Sequence, residues 1–258
     1  MSRVADVSRR VLALLSRQAE SSANGLRFGF IFLRARWFKM PRKIWMAGRF
    51  VPLSYPQEAG VQNDFFTCVI RNDYGLRHQL PEVRTILDIG ANVGFFSIAA
   101  RARYPHATIH AYEPNPRVLP YLRSNASGVG IEIYPEAVGA QNGFANMLDA
   151  GESNQARTSV AEAGEIPQVS FDKAIERLGG SVDLLKMDCE GAEWALFPLI
   201  DAWKNVRNIR MEYHLFHGET VPQIMQTLQK LGFDVIHSNH DDGFGMIWAS
   251  TSQSTDRP

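Results

Sequence analysis

The sequence predicts an α/β fold built on a doubly wound, mostly parallel sheet, and three observations carry that prediction. Thr85-Ile-Leu-Asp-Ile89 is an apolar run broken only by Asp88, as in a strand covered on both faces; Phe95, Phe96, Ile98, Ala99 and Ala102 then follow at helical spacing. Strand-like runs alternate with helical patterns from there to about Gly232. The strand ends carry carboxylates, Asp88, Glu113 and Asp188, at the edge where such sheets open a ligand crevice.

With 258 residues, 45% of them hydrophobic, the chain can form one large domain plus an appendage. Net charge is zero, yet the first fifty residues hold eleven Lys/Arg against Asp6 and Glu20, leaving +9 there and −9 in the remainder. The expected division is a basic, aromatic-rich helical extension over 1–60, a main domain over 61–250 and a polar tail over 251–258. Cys68 and Cys189 show no paired-ligand spacing, which fits a reducing compartment. No apolar run is long enough to span a bilayer, and the pentad after Ser8-Arg9-Arg10 is too short for an export signal. A cytoplasmic protein is expected, peripheral to a membrane if the basic segment docks there.

Val4, Val7, Val11, Leu14 and Leu15 form a helical stripe over Val4–Gln18, which Ser21-Ser-Ala-Asn-Gly25 is expected to break. Leu26 to Trp45 interleaves Phe28, Phe30, Ile31, Phe32, Trp37, Phe38 and Trp45 with six Lys/Arg. That composition suits an anionic membrane surface, or the aromatics pack on the main domain. Phe65–Ile70 reads as a strand whose following turn roofs the ligand site. Ala107–Tyr112 and Ile131–Tyr134 read as strands with a helix between them capped by Asn115, and Pro120 predicts a kink or a late start in that helix. Gly143–Leu148 reads as a short strand, and Asp149–Glu165 as a mobile loop over the site. Ser170 caps the next helix, Val182–Met187 and Val206–Tyr213 are strands, and Thr220-Val-Pro-Gln223 has capping-box spacing. Phe233–His237 and Phe244–Ala249 close the chain as a hairpin.

The glycine turn does not fit the dinucleotide fingerprint, since Asn92 and Phe95 stand where G-x-G-x-x-G needs glycine. Glu113 can accept both hydroxyls of a ribose. Lys186, Asp188 and Glu190 lie two apart and point to one side of their strand, and Glu212 and His214 repeat the arrangement on the next.

Asp88-Ile-Gly-Ala-Asn-Val-Gly94 resembles motif I of class I S-adenosylmethionine-dependent methyltransferases. Joined to Tyr112-Glu-Pro-Asn-Pro116, Leu184-Leu-Lys-Met-Asp-Cys-Glu-Gly-Ala-Glu193 and Met211-Glu-Tyr-His214, it resembles the FkbM family over about Phe65 to Ala249. The resemblance implies a Rossmann-like, seven-stranded fold and an O-methyltransferase using S-adenosylmethionine. It implies cofactor contacts at Asp88, Gly90, Asn92, Gly94 and Glu113; Glu136 and Ala137, after the third strand, sit where such folds present a side chain and a backbone amide to an adenine edge, or else are a simple strand end. It also carries over Lys186, Asp188, Glu190 and Glu193 from the family's second signature.

Methyl transfer to an alcohol needs in-line placement and removal of the hydroxyl proton. His214 is the expected base and Asp188 its orienter, with Glu212 and Lys186 beside them; alternatively Asp188, Glu212 and His214 hold a divalent cation that acidifies the hydroxyl. Glu193 is also readable as a first-turn helix carboxylate, and Lys186 as an ion-pair partner of Asp188. His217, His237 and His240 lack ligand spacing and read as surface or loop residues. The expected acceptor is a sugar, glycolipid or secondary metabolite. Rival readings are a nicotinamide oxidoreductase and a non-catalytic binding or membrane-adaptor protein. Nucleic acid is not expected, since the domain is acidic and has no N-P-P-[YF] signature. Oligomeric state is not legible.

Overall fold

The computed structural model describes residues 3–78, 80, 82–148, 151–153, 157–161, 164–216 and 218–251. The polar tail beyond 251, His217 and parts of the segment 149–165 lie outside the described residues, as do the side chains of Val4, Val7, Val11 and Trp37.

Helix α1 (Arg3–Arg27) runs through the expected break at Ser21–Gly25. The small residues continue the helix because they dock it: Ser21 and Asn24 are buried, and Asn24 Nδ2 donates to the Ile70 carbonyl at 2.7 Å. The hairpin β1 (Lys43–Met46) and β2 (Arg49–Pro52) leads to α2 (Ala59–Phe65). Phe66–Ile70, expected as part of a strand, is instead a π-helical turn continuing α2. A short apolar run does not distinguish a buried strand from a buried helix, and here contacts on more than one side decide. Phe65 meets Phe95 edge-on at 5.2 Å and packs against Phe30 and Phe38, while Phe66 takes Phe32 and Phe38.

The central sheet forms from β3 (Thr85–Ile89), β4 (Thr108–Tyr112) and β5 (Ile131–Tyr134), with α3 (Phe95–Arg103) and α4 (Leu119–Ala126) as crossovers. The helix α4 starts late, with Pro120 in its first turn, so Asn115 caps a preceding turn instead, accepting from Arg117 N at 3.0 Å. Among the described residues a second, four-stranded sheet comprises β6 (Ala137–Gly139), β7 (Gly143–Leu148), β8 (Arg157–Ala161) and β9 (Ile166–Ser170). Part of the expected mobile loop is therefore the strand β8, antiparallel to β7.

Ser170 caps α5 (Phe171–Arg177), accepting from Lys173 N. There follow β10 (Leu184–Met187), the short helices α6 (Glu193–Leu196) and α7 (Ile200–Trp203), and β11 (Asn208–His214). The capping box opens α8 (Val221–Lys230), and β12 (Phe233–Asp241) with β13 (Phe244–Thr251) forms a longer hairpin than expected.

Among the described residues the large sheet has seven strands in the order β12-β13-β11-β10-β3-β4-β5, parallel from β11 through β5, with β13 antiparallel to β11. Alternate residues face opposite layers. Ile86 and Leu184 pack with α3, α4, α2 and the aromatics Phe28 and Phe32; Leu87 and Leu185 pack with α5, α7 and α8. No helix among the described residues is long and apolar enough to cross a membrane.

Candidate active site

The carboxyl ends of β3, β4 and β10 open on two adjoining cavities. The larger, about 620 Å³ including space open to solvent, is lined by Gly90, Asn92, Glu113, Glu136, Ala137 and Val138, and bounded by Asp188, Cys189 and Glu190. The smaller, about 350 Å³, reaches under α2 and the π-helical turn to Thr67, Cys68, Tyr74, Lys186 and Glu212. Asp64, Gly90, Asn92 and Asp188 border both. The segment after the π-helical turn, expected to roof the site, contributes Tyr74 to the lining of the smaller cavity.

Gly90 carries φ +74°, and a Cβ there would lie 1.8 Å from the Asp188 carbonyl oxygen, so the turn passes against β10 with room only for hydrogen. Asn92, itself left-handed at φ +48°, donates its main-chain N–H to Glu113 Oε2 at 2.7 Å and its amide to Asp64 Oδ2 at 2.8 Å. Asn115 N donates to Glu113 Oε1 at 2.8 Å. Burial pushes the Glu113 carboxyl up to about 7 against these two donors. The side chain is thus rigidly aimed, and each oxygen keeps a lone pair for a ligand hydroxyl. Glu136 lines the cavity but is tied by Arg177.

Two predicted cofactor residues stand behind the cavities. Asp88 is fully buried, accepting from Ser97 Oγ at 2.6 Å and lying 3.4 Å from Lys186 Nζ. Gly94 caps α3. Lys186 donates to the Gly90 and Ile89 carbonyls and sits 3.6 Å from Asp188, so it stitches the glycine turn to β10. Burial lowers its pKa, but Asp88 and Asp188 together hold it above the ordinary lysine value. It therefore stays a cation.

The side-chain alternation of β10 ends at Met187, and Glu190 turns away in a left-handed conformation, φ +54°. Asp188 accepts from Tyr74 OH at 2.9 Å. Glu190 Oε2 lies 3.5 Å from His214 Nε2, which is 4.0 Å from Glu212 Oε1. Glu193 is wholly buried and acts as a brace: it accepts from His214 N at 2.7 Å and Gly191 N at 2.9 Å, with His214 Nδ1 at 3.5 Å. His214 stacks on Phe216 at 5.1 Å and stands behind the cavity wall. Burial lowers its pKa, but Glu193, Glu190 and Asp188 prevail and raise it to about 9. Burial, then Asp188, pushes Glu212 up to about 8.

The ligand atoms of Asp188, Glu190 and His214 lie within 4.8 Å of one another, so Glu190 rather than Glu212 completes the candidate cation triad. Oxygen and imidazole donors suit a divalent ion such as Mn²⁺ or Mg²⁺. Sequence reasoning missed Asp64. Its signal was an isolated acid before an apolar run, and only folding brings α2 over the glycine turn.

A family model described as "Methyltransferase FkbM domain" matches residues 88–235, more than half of the chain. Methyltransferase sdnD of Sordaria araneosa is 28% identical over 218 residues, covering 66% of this chain and 82% of that protein. The 31-O-demethyl-FK506 methyltransferase FkbM of Streptomyces tacrolimicus is 25% identical over 211 residues, covering 62% and 77% respectively. The solved methyltransferase FkbM from Methylobacillus flagellatus KT has a TM-score of 0.46 at 14% identity, covering 72% of this chain and 47% of that one.

Proposed function

Since the chain belongs to the FkbM family of methyltransferases, we propose that this S-adenosylmethionine-dependent enzyme methylates a hydroxyl of a sugar, glycolipid or secondary-metabolite acceptor. The observation that supports it best is a cavity with Glu113 and Glu190 on its wall, adjoining a smaller one lined by Asp188 and Glu212, with His214 behind Glu190. The residues present fit the cofactor. Glu113 offers a ribose two lone pairs, and the glycine turn comes close without the glycine spacing of a pyrophosphate cradle.

When bound, the cofactor supplies a methyl group on a positively charged sulfur. The acidic wall of Asp64, Asp188 and Glu190 favours that charge. The donor would supply that methyl group to an acceptor hydroxyl, whose proton the protein's own side chains would have to take up. Asp188, fixed by Tyr74 and Lys186, faces the crevice and orients the hydroxyl. His214 takes the proton through Glu190 once its ring is neutral, a form that grows as pH approaches about 9. A second reading rests on the close Asp188, Glu190 and His214 atoms: these would hold a divalent cation, which acidifies the hydroxyl.

The test is labelled methyl transfer from S-adenosylmethionine into extracted glycan, lipid and small-molecule fractions, with and without chelator. Label in an alkali-stable ether is expected. Label only in base-labile esters, or in none of the fractions, would overturn the hydroxyl reading. Loss of turnover with chelator and recovery with Mg²⁺ or Mn²⁺ selects the cation mechanism; indifference to chelator selects the base.

A further inference from the structure

Asp64 lies on α2, outside the segment that the family model matches, and its side chain borders both cavities where they meet. Asn92 fixes it. One amide N–H of Asn92 reaches Asp64 Oδ2 at 2.8 Å while the main-chain N–H of the same residue reaches Glu113 Oε2 at 2.7 Å. The carboxylate expected to bind ribose and the carboxylate on α2 are therefore held by one residue, with the shared wall of the cavities between them.

Among the described residues that wall is short of donors: the buried Asn92 Oδ1 makes no hydrogen bond with them, Asp64 keeps unused acceptor capacity, and Asp188 stands beyond. Lys186 is occupied by Asp88, Asp188 and the Gly90 carbonyl. Burial and then Asp188 push the Asp64 carboxyl up to about 7, against the opposing pull of Lys186 and Asn92. A buried amide oxygen and a half-buried carboxylate at the border of both cavities are satisfied together by one ammonium group, which brings three donors and a charge.

We infer that Asp64, with Asn92 Oδ1, receives the α-ammonium of the donor's amino-acid arm. This rests on the reading that the nucleoside occupies the larger cavity. With ribose at Glu113, the arm leads from the sulfur across the shared wall into the smaller cavity. Helix α2, and through it the aromatic packing of the amino-terminal region, becomes part of donor recognition.

The test compares two probes by calorimetry, S-adenosylhomocysteine, which has the amino-acid arm, and 5′-methylthioadenosine, which has the nucleoside and sulfur without it. Asp64→Asn should weaken S-adenosylhomocysteine about 10- to 100-fold, as for a lost charge-assisted bond, and leave 5′-methylthioadenosine within about twofold. Retained binding of the second probe also shows that the variant is folded. Equal losses for both probes would mean that Asp64 acts only by holding Asn92, and unchanged binding of both would leave it no role; either overturns the inference alone. If wild-type protein binds neither probe, the donor reading falls with it.

Discussion

Replacing Gly90 with alanine tests the closest approach in the site. The added Cβ would lie 1.8 Å from the Asp188 carbonyl oxygen and 2.8 Å from its carbon, both main-chain atoms, where real contacts stay beyond 3.0 Å. Relief needs a shift of over an ångström in a ladder where Met187 pairs with Ile89 and Asp188 N donates to Ile89 O at 3.1 Å. The left-handed backbone costs alanine roughly 1–2 kcal/mol. Overpacking against a fixed wall adds about 1–3 kcal/mol, and loss of the ladder bond about 1 kcal/mol. The total is about 3–6 kcal/mol, or a melting temperature lower by on the order of 10 °C for a chain of this size. Gly48→Ala is the control, because Gly48 has φ +77° and nothing within 4 Å, so it bears the backbone cost alone. Thermal unfolding followed by circular dichroism would read both. A Gly90→Ala variant no less stable than Gly48→Ala would show that β3 and β10 part freely, and the close-approach argument would fail.

His214, raised to about 9, contributes stability that is fully present below 6.5 and fades as pH rises through 9. His214→Ala should therefore cost up to about 3 kcal/mol at pH 6 and far less at pH 10; denaturant titrations showing a pH-independent loss would refute the ion-pair account. Glu113→Ala should weaken S-adenosylhomocysteine and 5′-methylthioadenosine alike, by about 1–3 kcal/mol in calorimetry, and a loss confined to one of them would move the ribose elsewhere. The exposed Leu12, Leu14, Leu15, Leu26, Ile31 and Leu33, set among the basic residues of the amino-terminal region, should float the protein with anionic vesicles at low salt and release it at high salt. Absence of flotation at low salt would remove the membrane reading, all the more because Phe28 and Phe32 are already buried in the domain.

Local sequence determined the β3–turn–α3 unit, the Ser170 and Thr220 caps and the late start at Pro120. In each, the deciding interaction lies within a few residues: Lys173 N to Ser170, Thr220 N to Gln223 Oε1, a proline without an N–H. It also located the carboxylates at or near the strand ends, Asp88 in β3, Glu113 after β4 and Asp188 after β10. Tertiary structure decided the rest. Phe65–Ile70 became helical because aromatics from Phe30, Phe38 and Phe95 surround it, a fact no window of residues contains. Two-residue alternation predicted a shared direction for Lys186, Asp188 and Glu190, but it holds only while the backbone stays extended, and beyond Met187 the turn at Glu190 carried that side chain to His214. Asp64 meets Asn92 across 28 residues and Glu58 reaches Ser153 across 95. Such pairings depend on how layers stack, and the burial that raises Asp64, Glu113 and Glu212 exists only once those layers close.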